Sequence, residues 1–157
     1  EFDAPPGSVR LRMSIEDAAE QTIDSDVRDI NVRDLSASVA LGTPEVFRGR
    51  TARDFRALAT VDAAPVSSRE FSRTERLRIR VPVYAPAGAS VAVAARLLNR
   101  KGQGIRTLAT QPITARSTVS EIDLPLAGFA TGDYRIEIVA KTSSAEAKDV
   151  LDVRITH

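Results

Sequence analysis

The stretch LPLAGFATGDYRIEIVA (residues 124–140) places a proline, two glycines and an aspartate just before a tyrosine that opens an alternating apolar run. A period of two is typical of a β-strand that buries one face. In immunoglobulin-like sandwiches, the hydroxyl of a tyrosine at the start of strand F donates a hydrogen bond to the main chain a few residues upstream. The stretch therefore predicts a tyrosine corner at Tyr134, with Gly128 and Gly132 shaping the turn. The alternative is an ordinary strand tyrosine with its hydroxyl in water.

Similar alternating segments lie on both sides of this stretch. In residues 76–83, apolar side chains alternate with three arginines, and turn signals follow. Further strands are predicted around residues 91–97, 105–108, 119–124, 134–138 and 151–155. Short strands separated by turns over residues 69–157 predict an all-β fold, an antiparallel β-sandwich of the immunoglobulin-like or fibronectin III-like type.

The first 48 residues carry additional strand patterns. Ser8 to Glu16 alternates and is predicted to be a half-buried strand, and residues 22–33 are predicted to be extended with a bulge near Arg28–Asp29. Residues 46–48 read as an edge strand. Three strands alone expose an apolar face and an open edge. We therefore expect them to pack on the later sandwich, to pair with chain outside this sequence, or to pair with another copy.

These patterns predict that the chain is divided into three parts. Residues 1–48 are expected to be a partial or packed-on second sandwich, residues 49–68 a short helical turn and linker, and residues 69–157 the immunoglobulin-like sandwich. Thr51 stands three residues before Asp54, which is the spacing of a capped helical turn. Residues 59–70 are small, polar and broken by a proline, and they mark the expected boundary.

Composition narrows the function classes. Lys and Arg total 22 against 21 Asp and Glu, so the net charge of +1 gives little support for binding nucleic acid. The absence of cysteine removes disulfides, thiolate nucleophiles and cysteine metal sites. No apolar run approaches the roughly 18–20 residues that span a bilayer, so we expect no membrane insertion. The single histidine is the terminal His157, which excludes a Ser-His-Asp triad within this chain.

Acidic residues offer two weak candidate sites. Asp24, Asp26 and Asp29 are closely spaced, but the glycine and closing glutamate of a calcium loop are missing, so we expect them to face solvent. A two-carboxylate glycosidase stays open on composition. Its usual aromatic sugar platforms are scarce, because the chain has five Phe, two Tyr and no Trp. We therefore expect no catalytic residue, cofactor or metal ion.

Three arginines form a ladder on one predicted strand. Arg76, Arg78 and Arg80 share a parity and point away from the apolar face. They are a speculative interaction face for an acidic or phosphorylated partner. The interpretation that we favour is pairing with acids on neighbouring strands, such as Glu137.

Several longer segments resemble a bacterial family. They are GTPEVFRGRTARDF (42–55), REFSRTERLRIRV (69–81), ARLLNRKGQ (95–103) and IDLPLAGFATGDYRIEI (122–138), together with FDAPPGSVRLRM near the start. These segments resemble the C-terminal region of von Willebrand factor A-related proteins of the Acidobacteria type. The resemblance implies an exported protein, periplasmic, on the cell surface or secreted, in which an integrin-type domain precedes a β-sandwich tail. The metal site of that preceding domain is not carried over to this chain.

These observations lead to one function hypothesis and two alternatives. We expect a non-catalytic interaction or spacer module that presents loops or a strand edge to a protein partner, or that self-associates through strand edges. One alternative is a carbohydrate-binding or hydrolase accessory domain. The other is a calcium-dependent adhesion module.

Overall fold

The chain divides into two compact units. A computed structural model describes residues 4–36, 38–58, 63–114 and 117–157. The smaller unit is Glu1–Asp34 and the larger is Leu35–His157. The division thus falls after Asp34 rather than after residue 48, because the strands between these points pair within the larger unit. Residues 59–62 of the predicted linker lie outside the described residues.

The smaller unit is a two-stranded antiparallel hairpin. Strand β1 (Gly7–Glu16) pairs with strand β2 (Thr22–Val32). In the connecting turn, the Asp17 carboxylate accepts hydrogen bonds from the main-chain N–H groups of Ala19 and Gln21, at 2.8 and 2.9 Å. Such side-chain to main-chain bonds are a common way to close a tight turn.

Two predictions for this hairpin were wrong. The register shift lies between Ile15 and Glu16, beside the turn, whereas pairing is continuous at the predicted bulge, where Arg10 faces Asp29. The apolar residues of β2 change from odd to even positions without a bulge, because the strand is regular there and Val27 and Ile30 simply lie on opposite faces. Strand β1 is also mostly exposed rather than half-buried: Met13 is 40% and Ile15 61% exposed, and Val9 and Leu11 are partly buried.

The larger unit is an all-β sandwich of two sheets. One sheet contains β3 (Ala40–Leu41), β4 (Glu45–Gly49), β6 (Arg76–Tyr84) and β9 (Val119–Pro125). The other contains β5 (Glu70–Ser72), β7 (Ala92–Asn99), β8 (Gly104–Leu108), β10 (Gly132–Lys141) and β11 (Glu146–Thr156). In the first sheet β6 is central, with β3 and β4 on one side and β9 on the other, and the second sheet has the order β5-β11-β10-β7-β8. The described strand pairs are antiparallel except for β5 with β11.

The core lies between these sheets, as the alternation predicted. Leu77, Ile79 and Val81 of β6 are fully buried. Their counterparts on the facing sheet include Leu97, Ile136, Ile138 and Ile155, which are also buried. Each apolar side chain removed from water stabilises the fold, by about 1.5–3 kcal/mol for a residue of this size.

One short helix follows β4 in the described part of the chain. Helix α1 (Ala52–Ala57) begins after Thr51, whose hydroxyl accepts a hydrogen bond from the Asp54 main-chain N–H. The Asp54 carboxylate in turn accepts one from the Thr51 main-chain N–H. This capping box confirms the predicted capped turn. A side chain at Gly49 would lie 2.9 Å from the Phe55 main-chain nitrogen, so the glycine permits the close approach of α1 to β4. No described helix is both long and apolar enough to cross a membrane.

Candidate interaction sites

Tyr134 closes the corner that precedes β10. Its hydroxyl donates a hydrogen bond to the Ala130 carbonyl, four residues upstream, at 2.8 Å. Its ring lies edge-on against the buried Phe129, with 6.1 Å between centroids. This is the contact that defines a tyrosine corner. Its effect is structural, since it joins the preceding loop to the start of β10.

The two glycines assigned to this corner differ in what they do. Gly132 has a φ of 151°, a conformation that L side chains rarely adopt. Gly128 has no positive φ, and a side chain there would meet nothing within 4 Å. Only Gly132 therefore meets a backbone requirement of the corner.

The arginine ladder on β6 pairs with acids on β9. Arg76 donates to Asp123 at 2.6 Å, and this bond raises the pKa of the Arg76 guanidinium. Arg80 donates to Glu121 at 3.1 Å, and Arg78 lies 3.8 Å from the same carboxylate. Cross-strand pairing is thus present, but the acid named from the sequence was wrong. Strand register decides the partner, and β6 pairs with β9 in one sheet whereas Glu137 lies in the other.

Helix α1 and strand β4 pack on the same ladder, although Arg76 at its end stays 47% exposed. The guanidinium carbons of Arg76 and Arg78 lie 4.4 and 4.8 Å from the centre of the Phe55 ring. Arg80 lies 4.6 Å from the Phe47 ring centre and donates to the Leu58 carbonyl at 2.7 Å. Only 17% of the side chains of Arg78 and Arg80 remains exposed. These two arginines are therefore engaged within the chain, and the face they were expected to offer a partner is largely occupied.

Glu137 is a buried carboxylate on the outer face of the second sheet. It is 4% exposed, and it accepts hydrogen bonds from Lys148 on β11 and Arg96 on β7. The bond from Lys148, followed by that from Arg96, lowers the pKa of the Glu137 carboxyl. Arg96 lies directly opposite Glu137, whereas Lys148 lies opposite Val139 and reaches Glu137 diagonally. The sequence shows these charged residues at outward positions of their strands, but only the strand order shows that they lie together.

A cleft beside the tyrosine corner is lined mostly by charged side chains. It has a volume of about 330 Å³ and is lined by Arg69, Glu70, Arg100, Asp133, Tyr134, Arg135, Asp152, Val153 and Arg154. Arg154 donates to Asp133 at 2.7 Å and Arg135 to Asp152 at 3.1 Å. The bond from Arg154 lowers the pKa of Asp133. A catalytic acid in glycoside hydrolysis needs the opposite shift, so Asp133 is unsuited to that role.

The hairpin exposes apolar side chains and unpaired strand edges. Along β1, Met13 is 40% and Ile15 61% exposed, and along β2 Ile23 is 69% and Val27 51% exposed. Within the described residues, each strand pairs only with the other. No other strand of the described ranges pairs with the outer N–H and C=O groups of β1 and β2, and such edges are templates for a further strand.

The three aspartates of β2 do not converge on a metal position. Asp24 and Asp26 point to one face and Asp29 to the other, where it pairs with Arg10 at 2.9 Å. Asp26 pairs with Arg28 at 2.6 Å. Residues 34–38, DLSAS, have the spacing Asp-x-Ser-x-Ser of the metal-dependent adhesion motif, although the metal site of that motif was not expected in this chain. Among the described residues, no group of three or more acidic or histidine side chains could hold a metal ion.

Comparison with known proteins adds little to this geometry. The chain matches no protein-family model and no curated protein. A solved structure of a DUF4426 family protein from Pseudomonas aeruginosa is similar over 76% of this chain and 89% of that one, with 10% sequence identity and a TM-score of 0.40.

Proposed function

We propose that this chain is a non-catalytic interaction module. The sandwich acts as the folded scaffold, and the hairpin presents strand edges to a protein partner. One observation carries the proposal: β1 and β2, of 10 and 11 residues, pair only with each other within the described residues. Edges of this length, next to exposed apolar side chains, fit recognition by strand addition.

Energetics support the same proposal. An isolated two-stranded hairpin is marginally stable in water, whereas three or more strands with an apolar face can be stable. A partner strand would pair the free main-chain groups and cover part of side chains such as Ile15 and Val27. The hairpin therefore has more to gain from a partner than the sandwich, whose core is already closed.

Site-specific photo-crosslinking in bacterial cells tests the proposal. Ser14 of β1 and Lys101 of the turn between β7 and β8 are both exposed, and each is replaced in turn by a photo-crosslinking amino acid. We expect covalent adducts from position 14 and none from position 101. Equal yields at the two positions, or no adduct at position 14, would contradict the proposal.

We further propose, on the family resemblance, that the chain is exported as the β-sandwich tail of a larger bacterial protein. Fractionation of cells that express the full reading frame tests this location. Recovery from the periplasm, the cell surface or the medium is the expected result. Recovery from the cytoplasm alone would contradict it.

A further inference from the structure

We infer that the partner strand of β1 is β1 of a second copy, antiparallel to the first about a two-fold axis through Met13. This inference rests on the proposed function, since it names the occupant of the strand edge. Two copies joined in this way form one sheet with the order β2-β1-β1-β2. Each hairpin then belongs to a four-stranded sheet, which exceeds the marginal two-stranded state.

Geometry limits the registers that are available. Directly opposite residues in a sheet point to the same face. In a two-fold antiparallel pair of identical strands, residue i therefore faces a residue of equal parity, and the axis passes through a residue. The choice reduces to which residue of β1 lies on the axis.

The Met13 register matches both faces of the strand. On the apolar face, Leu11 lies opposite Ile15 of the second copy, and Met13 lies opposite Met13 of that copy. On the polar face, Arg10 lies opposite Glu16. Both matches occur twice by symmetry, and all of these residues lie within β1. Apolar pairs and opposite charges directly across an antiparallel pair each contribute about 0.2–1 kcal/mol.

Neighbouring registers are less favourable. An axis through Leu11 sets Arg10 opposite Arg12 twice, and an axis through Arg12 sets Arg12 opposite itself. Like charges directly opposite each other destabilise a pair. An axis through Ser14 uses only residues 12–16 of the strand, so fewer main-chain groups are paired. Charge and overlap together select Met13.

The edge of β2 is a poorer match to itself. An axis through Val27 sets Arg28 opposite Asp26, and this match does not separate the two edges, because Arg28 and Arg10 each already pair within their own hairpin, with Asp26 and Asp29. That register also places Ile30 opposite Asp24. The β1 edge, in contrast, brings the exposed Met13 and Ile15 against apolar neighbours.

Cysteine crosslinking tests the register directly, because the natural chain has no cysteine. Opposite Cα atoms in an antiparallel pair are about 4.5–5.5 Å apart, within disulfide range. We expect Met13→Cys to form a disulfide-linked dimer under mild oxidation. Leu11→Cys should not do so alone, since the two copies of position 11 are roughly 13 Å apart along the strand. A mixture of Leu11→Cys and Ile15→Cys should crosslink.

Other crosslinking patterns would overturn the inference. Val27→Cys crosslinking faster than Met13→Cys would place the contact at β2. Crosslinking of Leu11→Cys with Met13→Cys, rather than with Ile15→Cys, would place the axis at Arg12. Circular dichroism of each variant shows whether it is folded.

A matched pair of lysine variants gives a second, independent measurement. Ser14 and Ser25 face each other in the hairpin and share a face, but lie on opposite edges. In the Met13 register, Ser14→Lys sets a lysine opposite Arg12 of the second copy, twice. Sedimentation velocity should show roughly tenfold weaker dimerisation for Ser14→Lys and no weakening for Ser25→Lys. Equal effects on both variants would overturn the inference.

The result also separates this inference from the proposed function. If the protein is monomeric at all concentrations while position 14 crosslinks to a different protein, the second copy is excluded and the interaction role stands. If position 14 yields no adduct and the protein is monomeric, both proposals fail.

Discussion

The hairpin and the sandwich use the same alternating pattern with opposite outcomes. In β6, Leu77 and Ile79 alternate with arginines and are fully buried. In β1, Met13 and Ile15 also lie in an alternating strand, and they are 40% and 61% exposed. Alternation therefore specifies a strand and its faces, but burial depends on a second layer that the strand itself does not encode.

A pair of isoleucines gives the largest expected contrast between the two regions. Ile79→Ala in β6 removes a fully buried side chain and should lower the free energy of unfolding by about 2–5 kcal/mol. Ile15→Ala in β1 should change it by less than about 0.5 kcal/mol, because that side chain is largely in water. Chemical denaturation of both variants measures the difference. Similar losses would show that β1 is covered within the chain.

The two tyrosines sharpen the comparison within the sandwich. Tyr134→Phe removes the hydrogen bond to the Ala130 carbonyl and should cost about 1–2 kcal/mol. Tyr84→Phe is the control, since Tyr84 is 42% exposed and should tolerate the change within about 0.5 kcal/mol. Thermal and denaturant unfolding report both values. Equal stability of the two variants would mean that the corner contributes nothing to the fold.

Much of the sandwich follows from local sequence. The alternation in residues 76–83 indicates the buried face of β6, and Thr51 with Asp54 indicates the capped turn. The turn residues before Tyr134 indicate a corner, and its hydroxyl contacts Ala130. Each of these features depends on side chains a few residues apart, so a single sequence is enough to find them.

Features that join distant strands did not follow from the sequence. The cover over Arg78 requires Phe55 to lie on β6, which depends on the close approach of α1 at Gly49. The partners of Glu137 depend on β10 lying between β7 and β11. The division after Asp34 depends on where β3 and β4 pair. Strand order, rather than strand position, was the missing information.

Two ion pairs provide a smaller contrast between the regions. Glu137→Gln in the sandwich removes a buried carboxylate from Lys148 and should cost about 1 kcal/mol at pH 7. Asp29→Asn in the hairpin breaks an exposed pair with Arg10 and should change stability by less than about 0.5 kcal/mol. Denaturant titrations at pH 7 compare the two variants.

The pH dependence of the Glu137 variant gives a further check. Folding lowers the pKa of this carboxyl, so its stabilisation is complete above its unfolded pKa of about 4.3 and is lost as the pH falls through the folded value. Glu137→Gln should therefore lose less stability than the natural protein on acidification below this point. Parallel stability curves for the two proteins would show that the carboxyl has no such role.

Amide hydrogen exchange of the natural chain at two protein concentrations tests the central claim most directly. The account predicts strong protection in β6 and β10 at both concentrations. It predicts weak protection of the outward-facing amides of β1 that rises with concentration, while the outward-facing amides of β2 change little. Protection of β1 equal to that of β6 at the lowest concentration would contradict it, because the hairpin edge would then be closed without a partner.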